Sequence, residues 1–178
     1  MRRTIPGFLK KTTKPVLFFI LSMSFLSGAM AQLKSKVICP EFNVDILNGT
    51  VNEMKANTGL AEIKAKFPCF SGTDDEGAAS KCGGGVYYKD KDIYFYTKRD
   101  YIEIGPKFIG KLSIPLLGSK RGSLFKTLGN PKMKDDLWDA YQMQYGTLIL
   151  HYDVTGAAGK VKFLQFSTEG TETIQLCE

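Results

Sequence analysis

Few residues in this 178-residue chain could perform acid–base or nucleophilic chemistry. It holds one histidine, His151, and four cysteines, Cys39, Cys69, Cys82 and Cys177. Catalysis needs a second group within hydrogen-bond reach of the first. No G-x-S-x-G is present, and no second histidine completes a metal set. His151 falls in the run Thr147-Leu-Ile-Leu-His-Tyr152, where alternation puts it on one strand face with Thr147 and Ile149. A structural histidine is expected there, and no catalytic residue is assigned.

The acidic and glycine-rich stretches read the same way. Asp74-Asp75-Glu76 lacks the ligand alternation of a calcium loop and reads as a solvated loop. Asp135 and Asp136 are neighbours at a strand start, so their side chains point to opposite faces. Gly83-Gly84-Gly85 has no following Lys-Ser/Thr and precedes a strand, which leaves it as slack and not as a phosphate loop. Asn48-Gly-Thr50 fits a glycosylation acceptor, relevant only in a eukaryotic source. The cysteine spacings do not fit the close pairs of a zinc site. No metal and no cofactor are expected.

The informative residues are aromatic. Tyr87, Tyr88, Tyr94, Phe95, Tyr96 and Tyr101 crowd one short stretch. Alternation places Ile93 and Phe95 on one face of a strand and Tyr94 and Tyr96 on the other. The apolar pair is the natural choice for the core, which leaves the tyrosines on an open face. Trp138 or Tyr141, with His151, are candidates for the same surface. Tyrosine and tryptophan are rigid anchors with a polar end, suited to gripping another protein. Tyr87, Tyr94, Tyr96, Trp138, Tyr141 and His151 are therefore the candidate binding residues.

Two similar stretches, about 60 residues apart, must position them. The first opens with Gly59 to Pro68, where Leu60, Ile63 and Phe67 share a helical face and Pro68 stops the helix. The second opens with Gly122 to Pro131, where Leu124 and Leu128 repeat the spacing before Gly129 and Pro131. Strands are predicted over 86–89, 93–98 and 101–104 in the first, and over 137–143, 147–152 and 161–167 in the second. Short turns between them predict antiparallel meanders, with a helix over one face. The expected fold is α+β: two tandem helix-plus-antiparallel-meander repeats, residues 32–110 and 111–178, forming one curved sheet with helices on one face.

Residues 1–31 read as a secretory signal. Arg2, Arg3, Lys10, Lys11 and Lys14 lead, an apolar run from Val16 to Leu26 follows, and Ala29-x-Ala31 predicts cleavage before Gln32. The run is short for a membrane anchor, and no cysteine follows the cleavage site to carry a lipid. The remaining 19 basic side chains, the chain's 24 less those five, face 18 acidic ones. The basicity thus belongs to the leader, and no case for nucleic acid survives. A secreted or periplasmic protein without stable membrane insertion is expected. Four cysteines after an export signal imply disulfides in one of three pairings. Cys69–Cys82, closing a short loop, and Cys39–Cys177, joining the ends, are favoured.

The second stretch carries Leu-Gly-Asn-Pro at 128–131, then Trp138, Tyr141, Tyr145-Gly146, Leu148, Leu150, Gly159-Lys-Val161, Phe163 and Ser167. It resembles the module of the small-protein-A/outer-membrane-lipoprotein family, in which such a helix end precedes a three-stranded meander. Two modules in tandem, over roughly residues 45–167, look like the β-lactamase inhibitor protein fold, which also carries a bridge where Cys69–Cys82 would sit. The resemblance implies a non-enzymatic, inhibitor-like partner for another protein. The alternatives are an envelope structural or assembly component and, further off, a secreted hydrolase.

Overall fold

The computed structural model describes residues 37–74 and 83–176. The expected export segment, Asp75, Glu76, Cys82 and Cys177 lie outside the described residues. Among the described residues no helix is long and apolar enough to cross a membrane.

Among the described residues the chain is mostly sheet with two short helices, compatible with the expected α+β class. A small sheet, ordered β2-β1-β7, joins β1 (Asn43–Asp45) to β2 (Thr50–Val51) and, in parallel, to β7 (Lys111–Leu112). Helix α1 (Leu60–Lys66) then leads into β3 (Gly72–Asp74), β4 (Gly85–Tyr88), β5 (Ile93–Tyr96) and β6 (Tyr101–Ile104). Helix α2 (Phe125–Leu128) leads into β8 (Met133–Lys134), β9 (Trp138–Met143), β10 (Gly146–Tyr152) and β11 (Val161–Ser167). These eight strands make one antiparallel sheet ordered β3-β4-β5-β6-β11-β10-β9-β8. Each run is a meander, and the two meet where β6 pairs with β11.

Membership of the main core follows the period of two. Val86 and Tyr88, Ile93 and Phe95, Ile102 and Ile104, Leu148 and Leu150, and Leu164 and Phe166 enter one core cluster. Ile63 and Phe67 of the α1 region cover it, together with Phe42, Val44 and Ile46 from the small sheet and its flanks. Leu60, expected on the same helical face, is 39% exposed. Pro68 ends α1 as expected, and the otherwise orphaned carbonyl of Phe67 accepts the Tyr88 hydroxyl at 2.8 Å. The second helix is shorter than its spacing predicts. Residues 121–123 form a 3₁₀ turn, α2 spans four residues, and Gly129 stops it at φ +77°. The glycine run at 83–85 is more than slack. Gly83 sits at φ +72°, and a Cβ on Gly85 would lie 1.8 Å from the Phe95 carbonyl oxygen.

The favoured cysteine pairing is corrected. Cys39 bonds to Cys69, with Cα atoms 5.3 Å apart. The reason is packing. Phe42 stacks on Phe67 with ring centroids 4.2 Å apart, which draws the segment before β1 against the end of α1. Both cysteines, two or three residues from those rings, are carried into contact on the edge of the core.

A buried ion pair ties the connector to the second meander. Arg121 Nη2 and Nε reach the two carboxylate oxygens of Asp139 at 2.6 and 3.0 Å. Arg121 also donates to the carbonyls of Asp135, Asp136 and Trp138, and the Tyr152 hydroxyl donates to Asp139 at 2.7 Å. The guanidinium lies over the Tyr152 ring, 4.7 Å from its centroid. Its hydrogen bonds to Asp139 hold the Arg121 pKa above the ordinary arginine value, and burial pushes the Tyr152 phenol up.

Peptide mapping of non-reduced protein is expected to yield Cys39 linked to Cys69, and a Cys69–Cys82 peptide would contradict it. Replacing both Cys39 and Cys69 by alanine is expected to cost about 3–4 kcal/mol for a 30-residue separation. Arg121→Met or Asp139→Leu alone should each destabilise by about 3–5 kcal/mol, because each strands a buried charge. The double variant should recover most of that loss in denaturant unfolding, giving a large coupling energy.

Candidate functional site

The sheet face turned away from the core carries the residues of opposite parity. One row across the register reads Tyr87, Tyr94, Glu103, Gln165, Ile149 and Ala140 on successive strands. A second row has Tyr96, Tyr101, Ser167, Thr147 and Gln142. A third has Phe163, His151 and Trp138.

Of the predicted binding residues, three are brought together at one end. The ring centroids of Tyr87 and Tyr94 are 5.7 Å apart, those of Tyr87 and Tyr96 6.0 Å, and those of Tyr94 and Tyr96 6.4 Å. Tyr94 and Tyr96 are half-buried, and their rings lie near-parallel at 15°. Tyr87, on the neighbouring strand β4, is buried against both rings. Burial raises the phenol pKa of Tyr94 and of Tyr96, and the Glu103 carboxylate adds to the rise in both.

His151 and Trp138 are cross-strand neighbours, but they sit three and four strands from β5. At ~4.8 Å per strand that is roughly 14 and 19 Å from the tyrosine strand. His151 stacks on Phe163 at 4.1 Å between centroids, and its Nε2 faces Gln165 Oε1 at 3.1 Å. Gln165 Nε2 donates to Glu103 at 2.9 Å, so the amide oxygen is the acceptor and His151 Nε2 carries the proton. The histidine therefore serves this buried polar chain.

Tyr141 does not join the face. Alternation in β9 sends Trp138, Ala140 and Gln142 one way and Asp139 and Tyr141 the other. Tyr141 is buried in the main core cluster, 3% exposed, beside the Arg121 network. Its place as a candidate binding residue is corrected accordingly: only one of Trp138 and Tyr141, three residues apart, can lie on the open side.

Three features were missed from sequence. Glu103 and Gln165 form a polar clasp across β6 and β11, and the same parity rule that located the tyrosines would have found them. The third is the C-terminal segment. Ile174 and Leu176 pack on the cluster of Tyr101, Ala140 and Ile149, which Tyr96 and Trp138 border. The segment is anchored by Tyr101 donating to the Gln175 carbonyl at 2.7 Å and Thr147 to that of Glu169 at 2.8 Å. It crosses the middle of the face and separates the tyrosine end from the Trp138 end. No turn or spacing signal marks this placement.

Away from this face, a groove of about 790 Å³ is lined by Asn43, Asn48, Asn52, Lys66, Lys111 and Ser113 near the small sheet. Among the described residues no three His, Cys, Asp or Glu side chains are grouped to hold a metal ion. No family model matches the chain, and neither a curated protein nor a solved structure gives a significant match.

Glu103 gives the site a pH signature. Burial raises its carboxyl above the ordinary value of 4.5, Asp92 adds to the rise, and the Gln165 amide opposes it. The folded protein therefore holds this proton more tightly than the unfolded chain. The stability so gained is full below pH 4.5 and is lost as pH rises through the folded value. Glu103→Gln is expected to flatten the fall in melting temperature above pH 4.5, measured from pH 4 to about 7. An unchanged slope would show that Glu103 is not the group responsible.

Proposed function

We propose that this chain is an exported, non-enzymatic protein-binding protein of inhibitor type, gripping its partner with the tyrosine end of the uncovered sheet face. The observation that carries the reading is the cluster of Tyr87, Tyr94 and Tyr96. Three aromatic rings pack together on a sheet surface, Tyr87 inclined to the near-parallel pair Tyr94 and Tyr96, and that pair remains half-exposed. Rigid tyrosines of this kind concentrate binding energy at the centre of interfaces. The half-exposed Trp138 at the other end is a second contact area on the same face.

The order of elements supports a tandem reading of the fold, helix then meander twice, with the final strands of the two units paired. This is the arrangement expected of the β-lactamase inhibitor-like class. The Cys39–Cys69 bond supports an oxidising destination, periplasmic or extracellular. An inhibitor role follows from the resemblance and from a face that offers anchors in place of a catalytic constellation.

The test is capture of a partner from envelope extract, followed by titration of that partner with variants. Tyr94→Ala/Tyr96→Ala is expected to weaken binding by at least ~2 kcal/mol, about 30-fold, by the usual magnitude of an aromatic anchor. The fold should survive, since both rings are half-exposed. Recovery of an enzyme that the protein silences supports inhibition. Binding unchanged by the double substitution rejects the tyrosine face.

A further inference from the structure

The tyrosine end is also the negative end of the face. Glu103 stands directly across from Tyr94 in the register and is half-buried. Its carboxylate accepts the Gln165 amide, and among the described residues no lysine, arginine or histidine forms an ion pair with it. Asp92 adds a second carboxylate. It sits at φ +54° just before β5, and its Oδ2 accepts the Lys107 backbone N–H at 2.7 Å. The missing Cβ of Gly105 makes room for it, since a Cβ there would lie 2.3 Å from the Asp92 carboxylate. Asp92 acts on both Tyr94 and Glu103, and Glu103 acts on both Tyr94 and Tyr96. No cation is among the groups that perturb these three residues. Half-desolvated negative charge thus adjoins the electron-rich faces of near-parallel rings.

We propose that this surface reads an arginine side chain of the protein partner, with the guanidinium over Tyr94 and Tyr96 and Glu103 as its counter-ion. The inference rests on the binding role proposed above and supplies the chemistry of the occupant. Two near-parallel rings 6.4 Å apart let one cation lie within the ~6 Å cation–π range of both centroids. A planar guanidinium stacks on rings and forks onto a carboxylate, which a lysine ammonium cannot do. Partial burial at this edge strengthens both contacts relative to open water.

The first arm uses a capped Gly-Arg-Gly peptide and its citrulline and lysine counterparts, read by the ring NMR signals of Tyr94 and Tyr96 in the full secreted protein. The arginine peptide is expected to shift both rings saturably, the lysine peptide less, and the uncharged citrulline peptide hardly at all. Glu103→Gln keeps the side chain's shape and its bond to Gln165, and should weaken the arginine response about tenfold. Equal responses to arginine and citrulline, or a response untouched by Glu103→Gln, overturn the proposal. The second arm titrates the captured partner. If Tyr94→Ala/Tyr96→Ala abolishes binding while Glu103→Gln leaves it intact, the arginine reading fails and the tyrosine face stands. If neither substitution weakens binding, both fail. Weakening by each supports both.

Discussion

The structure depends on the pairing of β6 with β11. Each meander, taken alone, would expose a full inner edge of unpaired backbone groups, and four short strands bury little apolar surface. The seam removes both problems. On its core side Ile102 faces Phe166 and Ile104 faces Leu164, all essentially fully buried. On its other side Glu103 faces Gln165, and their side chains hydrogen-bond. The register is thereby fixed twice, since a slip of one residue would drive Glu103 and Gln165 into the apolar cluster. The edges left over are short: β3 has three residues and β8 two. Short edges are a common defence against unwanted strand addition.

Once the seam exists, the cover over the core face follows. An eight-stranded sheet needs more cover than two short helices provide. Helix α1 packs on β4 and buries Ile63, but α2 is only four residues long, and none of those four is fully buried. The connector and the small sheet make up the difference. Arg121 carries much of that burden in the second half, because its guanidinium closes three backbone carbonyls and the Asp139 carboxylate at once. A buried pair of this sort adds little net stability over an apolar substitute, and its use is to fix position. Here it fixes the connector against β9 where a longer helix would otherwise lie.

The parts legible in sequence were those governed by local periodicity. Six strands fall within two residues of their expected bounds, and the Ile93/Phe95 against Tyr94/Tyr96 division is the burial pattern of β5. Helix α1 was marked by Pro68 and by Ile63 and Phe67. What was illegible depended on contacts far apart in sequence. Strands β1, β2 and β7 are two or three residues long, and β7 finds its partner β1 68 residues away. The Cys39–Cys69 bond follows from the Phe42–Phe67 stack, which no cysteine spacing encodes. The choice between Trp138 and Tyr141 could have been made from parity, had the strand bounds been trusted to one residue.

The C-terminal segment decides how much of the face remains for a partner. Where it crosses, Tyr101, Ala140 and Ile149 are sealed as thoroughly as the main core. A sheet face cannot serve as both core and contact surface at one point, so the uncovered area divides into two ends. Those ends differ in kind. The Trp138 end is apolar and backed by a stacked histidine with a satisfied amide partner. The tyrosine end couples aromatic faces to carboxylates held out of full solvation. Among the described residues no cation pairs with the half-buried Glu103, whose desolvation disfavours the charged form. A glutamine would hold Gln165 equally well by hydrogen bonding. The carboxylate is therefore best explained by what approaches from outside, and that argument singles out the tyrosine end as the one with a stated chemical preference.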